Sequence, residues 1–171
     1  MNKRPNETDY PRAVSPYITN VPEGDLIQLL QDQLEQTFQL LGTITGEQEQ
    51  FRYAPEKWSL REVVGHVIDF ERIISYRALR FSRGDIKQLS GFDENDYVRE
   101  SHYGETPLAD LLDELRAVRS ASIHLAARFS EGDWSKKGSV EGNGISVLAL
   151  ACSLYGHWQH HMDVITTRYL V

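Results

Sequence analysis

Four stretches of this chain repeat apolar residues at helical spacing, and no stretch sustains the apolar–polar alternation of a half-buried strand. The first is expected over about residues 23–43, where Leu26, Leu29, Leu30, Leu34, Phe38 and Leu41 share one face. Pro22 suits its start, and Gly42 and Gly46 bracket its end. The second is expected over about residues 60–83. Ser59 followed by Glu62 forms a capping box there, each side chain satisfying the other residue's free amide. Thr106 and Pro107 open the third as cap and first helical residue, and Leu108, Leu111, Leu112, Leu115, Ser122, Ala126 and Phe129 trace its inner face to about Ser130. The fourth is expected over about residues 145–170, with Asn143 or Gly144 near its cap. Helices of this number and length pack as an all-α four-helix bundle.

The remaining segments read as connections. Residues 1–21 carry Pro5, Pro11 and Pro16, which predict an extended arm rather than a helix, with Tyr10, Tyr17 and Ile18 free to pack along the domain. The division is an arm over 1–21 and one bundle domain over 22–171, a single domain being what 171 residues suit. Residues 84–105 form the longest irregular stretch after the arm, a length that usually serves a site or is loosely ordered. Residues 131–144 are turn-rich with room for a short extended piece.

The charge balance narrows the partners. A net charge of −7 with no basic stripe argues against nucleic acid and against anionic membrane surfaces. No run approaches the roughly 18 apolar residues of a membrane span. The first residues lack the apolar run of a signal peptide. The single cysteine, Cys152, rules out an intramolecular disulfide and a cysteine-rich zinc site, and fits a reducing, cytoplasmic setting.

Chemistry concentrates in the histidines: His66, His102, His124, His157, His160 and His161. Imidazole is the commonest protein ligand for zinc, nickel and similar ions. With about 100° per residue, His161 lies about 40° from His157, within the apolar arc marked by Leu154 and Ile165. His160 falls at about −60°, toward the polar side. The i, i+4 pair His157 and His161 therefore stands one above the other on one face, as two ligands of one ion would. A third ligand from another helix is available in His66, whose apolar neighbour Phe70 lies at about 40°. His124 lies about 180° from Leu115 and should face solvent; His102 sits in the long connection. The plainer reading stands beside this one: helix histidines are usually structural or exposed, and without a metal these three would be a buried polar cluster in need of partners.

At these residues the sequence resembles the DinB-like superfamily of four-helix-bundle metalloproteins, which includes thiol-dependent S-transferases and many proteins described as metal-dependent hydrolases. The resemblance runs through KWSLREVVGHVIDFE, YRALRFSRGD, GFDEND and GHWQHHMDVI, and covers roughly residues 23–171. It implies His66, His157 and His161 as the metal ligands; the extra His160 leaves a 157/160 register open. It also implies a divalent metal ion, nickel or zinc foremost, frequent homodimers, and in some members a low-molecular-weight thiol as co-substrate. It does not imply one substrate.

Three protein ligands leave a coordination position open, the arrangement of a catalytic rather than a closed structural ion. The expected partner is a small-molecule substrate, and the competing reading is a non-catalytic module stapled by metal. Glu62, Asp69 and Asp163 are candidates to orient the rings, although each is more often a solvated charge. Glu71 falls on the apolar arc and is expected in a salt bridge; Cys152 is expected as a small core residue; Trp58, Trp134 and Trp158 are expected as core anchors; Tyr97, Tyr103 and the acidic loop are expected near a pocket mouth.

Overall fold

The computed structural model describes residues 4–170, so the first three residues of the expected arm and the last of the expected domain lie outside it. Before the first long helix the chain makes two 3-10 turns, Glu7–Asp9 and Arg12–Val14, and a short helix α1, Ser15–Thr19. This differs from an extended arm. Pro16 sits at the start of α1, where its missing amide costs no hydrogen bond, so the prolines here open turns. α2 spans Leu26–Leu41 and begins at Asp25, whose carboxylate accepts from the amides of Ile27 and Gln28. The expected start three residues earlier lacked that cap.

After α3, Glu47–Gln50, comes α4, Leu60–Ser82, with the Ser59–Glu62 capping box formed. The connection after α4 is more ordered than its length suggested. It holds α5, Glu94–Glu100, capped by Asp93, and a 3-10 turn Tyr103–Glu105. α6, Leu108–Ala126, is not capped by the Thr106 side chain, which instead donates to the His102 carbonyl. Its first amide, on Leu108, donates to Glu49 of α3 at 3.0 Å, and Arg61 pairs with that same carboxylate at 2.5 Å. The helix also stops four residues before Ser130, which instead caps α7, Glu131–Trp134.

A two-stranded hairpin follows, β1 Lys137–Val140 and β2 Asn143–Ser146. Its loop is Glu141–Gly142, with φ of 50° and 81°, the left-handed pair that a tight hairpin turn requires. α8, Val147–Val164, takes Ser146 as cap, not Asn143 or Gly144, because β2 runs on to Ser146, whose hydroxyl accepts from the Ala149 amide. It ends in a π-helical turn, Ile165–Tyr169.

The four long helices form the bundle. α4 packs against α6 and α8, and α2 against the same two. The core divides into two apolar clusters. One joins the start of α2, the end of α4, the hairpin and the first half of α8; the other joins the end of α2, the starts of α4 and α6 and the end of α8. Between them runs a polar layer: Gln33, Glu71, Arg119, His66 and His157 are all buried at the level where one cluster gives way to the other. Among the described residues, no helix is long and apolar enough to cross a membrane.

Candidate metal centre

The polar layer holds two clusters of different character. In the first, Arg119 donates to Glu71 at 3.0 Å through two nitrogens, to Gln33 Oε1 at 2.9 Å and to the Leu154 carbonyl at 3.4 Å. Gln33 donates onward to the Tyr155 carbonyl at 3.1 Å and to Gln159 at 3.3 Å. Glu71 is thus in the salt bridge expected of it, and charge and hydrogen-bonding capacity are matched.

The second cluster is the histidines. α4 and α8 present His66, His157 and His161 to one point, with one nitrogen of each ring within 4.8 Å of the others. The Nε2 of His157 lies 3.0 Å from that of His66 and 3.2 Å from that of His161. Burial holds the His66 ring neutral, with its pKa pulled down to about 4. Burial, then the neighbouring His66 and His160, pulls His161 to about 3. His157 is also pushed well below the ordinary range, first by burial and then by the rings beside it.

Three neutral imidazoles cannot satisfy one another here. Each Nε2 carries either one proton or one lone pair, so one shared nitrogen cannot serve two neighbours well. His157 Nδ1 is buried with no hydrogen-bond partner. Three lone pairs turned to a common cation resolve the conflict. Ligand bonds of 2.0–2.1 Å at 90–109° would separate the nitrogens by about 2.8–3.4 Å, in line with the 3.0 and 3.2 Å from His157 Nε2 to its two neighbours. The donor set therefore fits a divalent ion of the borderline class.

Aromatic rings fix the imidazoles in place. Phe70 stacks on His157 at 3.6 Å and 9°. Trp58 lies 4.8 Å from His66, and Tyr17 meets His157 edge-on at 5.3 Å. Tyr17 comes so close because Gly156 leaves room: a Cβ there would sit 1.8 Å from the Tyr17 carbonyl oxygen. On the open side is a cavity of about 380 Å³, bordered by Tyr17, Trp58, Phe70, Phe92, Glu94 and His160 around the three rings.

Several expected roles fall elsewhere. Glu62 serves the capping box and Arg52, Asp69 accepts from the Tyr103 hydroxyl at 2.7 Å, and Asp163 accepts from Gln159. None of the three takes a proton from a ligand ring. His160 is exposed and outside the converging group, and His124 and His102 are exposed on other surfaces. Cys152 is fully buried, its thiol pushed up to about 12 by burial. Trp134 and Trp158 anchor the core, whereas Trp58 is half-buried at the site. Of the acidic loop, Glu94 reaches the cavity; Tyr97 faces a different depression, and Tyr103 packs on Gly65. Sequence reasoning did not assign Tyr17 to the site, and it reached Phe92 and Glu94 only as part of the acidic loop expected at a pocket mouth. The sequence signal for α5 was Asp93 ahead of ENDYVRE, a cap that brings Glu94 to a helix start.

Comparison with known proteins agrees with the fold. A sequence model described as the DinB superfamily matches residues 29–165. A solved structure, YfiT from Bacillus subtilis, superimposes with a TM-score of 0.70 at 18% identity, covering 98% of this chain and 91% of that one. YfiT is described as a probable metal-dependent hydrolase with an unusual four-helix bundle topology. No curated protein sequence matches the chain.

Proposed function

We propose, from the premise that this chain belongs to the DinB superfamily, that it is a metal-dependent hydrolase holding one divalent ion, zinc or nickel, on His66, His157 and His161. The observation that carries this reading is the convergence of three neutral imidazoles, 3.0 and 3.2 Å apart at Nε2, on a cavity with an open side. An ion bound there would supply a Lewis acid and make a water molecule more acidic.

The chain's own residues account for the rest. Phe70 holds the His157 ring by stacking and Trp58 packs against the His66 ring at a tilt of 42°, so their lone pairs keep their direction. Tyr17, Phe92 and Trp58 limit the water that reaches the cavity. Among the described residues Glu94 is the only carboxylate bordering it, and it is the group we assign to take up the proton that hydrolysis of a small-molecule substrate releases. Thiol transfer is the second reading. Three uncharged ligands leave the ion's charge uncompensated, and a thiolate suits that site as well as hydroxide does.

The test is a substrate screen of zinc- and nickel-loaded protein made without a histidine tag, with and without an added low-molecular-weight thiol. Hydrolysis independent of thiol, abolished by His157→Ala and lowered about a hundredfold by Glu94→Gln, is the expected result. Turnover only with thiol selects the second reading. Activity unchanged by His157→Ala overturns both, and tight metal binding with no turnover on any substrate leaves a metal-stapled binding module.

A further inference from the structure

A second cavity, about 210 Å³, lies beside the histidine site between α4, α8, the hairpin and the N-terminal segment. Tyr17 and Phe70 border both cavities. Its other walls are largely apolar, including Val14, Ile74, Val140, Ile145 and Leu150. On α4, Phe70 and Arg77 lie about 40° and 20° around the helix from His66, so all three share one stripe. On α8, Ser153 and Leu150 border the cavity four and seven residues before His157. The trough therefore continues from the histidines along the same two helices, with Phe70 at the junction and Arg77 about 10 Å beyond it.

Arg77 is the cation of this cavity, and its charge is unusual in the molecule. It is only 9% exposed. Its guanidinium donates to the Ser90 carbonyl at 2.8 Å and lies 5.8 Å from the Phe92 ring centre. No carboxylate lies within 4 Å of it among the described residues; Glu141, which also borders the cavity, acts on it only at longer range. Among the described residues the other buried arginine, Arg119, is paired with Glu71, and the partly buried Arg61 is paired with Glu49. A cation removed from water without a counterion is costly, and the planar guanidinium fork pairs with a carboxylate through two parallel hydrogen bonds.

We infer that this cavity binds a small molecule with an apolar body and a terminal carboxylate, the carboxylate on Arg77 and the body along Ile74 and Leu150 toward Phe70. Its volume corresponds to about seven water-sized groups, and the roughly 10 Å from Arg77 to Phe70 corresponds to a chain of about eight heavy atoms. The end remote from the carboxylate then meets the histidine cavity. This last point rests on the metal-site reading; the carboxylate grip does not.

The experiment is calorimetric titration of the full-length protein, stripped of metal with chelator, with octanoate, octanol and octylamine. Octanoate is expected to bind at least about tenfold more tightly than octanol and octylamine. Arg77→Gln should erase that preference, and Arg77→Lys should restore part of it. Octanol binding as tightly as octanoate, no octanoate binding, or an Arg77→Gln variant that keeps the preference overturns the inference. If Arg77→Gln does not fold, the contrast between octanoate and octanol on the unaltered protein decides. Failure of the metal reading would show separately, as octanoate binding without metal uptake.

Discussion

The two clusters of the polar layer sit at one level of the bundle, one fully buried and the other with His161 partly buried toward a cavity, and they are finished differently. The Glu71–Arg119–Gln33 cluster is closed: its charges cancel, and its donors meet a carboxylate, an amide and two helix carbonyls. The His66–His157–His161 cluster is open: its rings are neutral, its central nitrogen faces two others, and a buried ring nitrogen has no partner. A closed polar cluster in a core is explained by the fold it joins together. An open one leaves lone pairs that the fold itself does not use.

Breaking the closed cluster should have the largest effect. Arg119→Met leaves the Glu71 carboxylate 1% exposed and unpaired, and should cost about 3–5 kcal/mol in urea unfolding. The double variant Glu71→Gln/Arg119→Met should recover most of that loss, and a single-variant cost under about 1 kcal/mol would erase the distinction between the clusters.

The next effect belongs to the open cluster and appears only with metal. At a zinc concentration a hundredfold above its dissociation constant, the unaltered protein should gain about 2.7 kcal/mol of stability. His157→Ala should show none of this gain in the same denaturation series.

The metal-free protein should also lose stability in acid through these rings. His66 titrates at about 4 in the fold against an ordinary 6.5, so the unfolded chain takes up the proton first. Its contribution is complete above pH 6.5 and is lost as the pH falls toward 4, at up to about 1.4 kcal/mol per pH unit. Urea midpoints at pH 7, 6 and 5 measure this, and His66→Gln should make the profile shallower, with His157 and His161 carrying the rest. The smallest effect is at the edge of the layer. Tyr103→Phe removes the hydrogen bond to Asp69, costs about 1 kcal/mol, and leaves metal affinity unchanged because Asp69 does not touch a ring.

Much of the bundle could be read in the sequence because local rules and tertiary packing agree there. The Ser59–Glu62 box sets where α4 begins, and the 3.6-residue period turns His66, His157 and His161 inward. What escaped reading depends on contacts between distant segments. Glu49 caps α6 from 59 residues away, which no local pattern around Thr106 reveals. Tyr17 reaches His157 because Gly156 lets a short helix lie against α8, and prolines alone suggested an extended run. Phe70 was visible as an inward residue of α4, but its stacking on a ring of α8 depends on how the two helices cross. The short helix α5 follows a readable Asp93 cap, but its acidic residues made it look like loop.

X-ray absorption spectroscopy of tag-free protein loaded with one equivalent of zinc bears most directly on the open cluster. Three imidazole nitrogens at about 2.0–2.1 Å, with loss of that shell after His157→Ala, is the spectrum expected. A zinc shell without imidazole, or one indifferent to His157→Ala, would contradict the assignment of these rings.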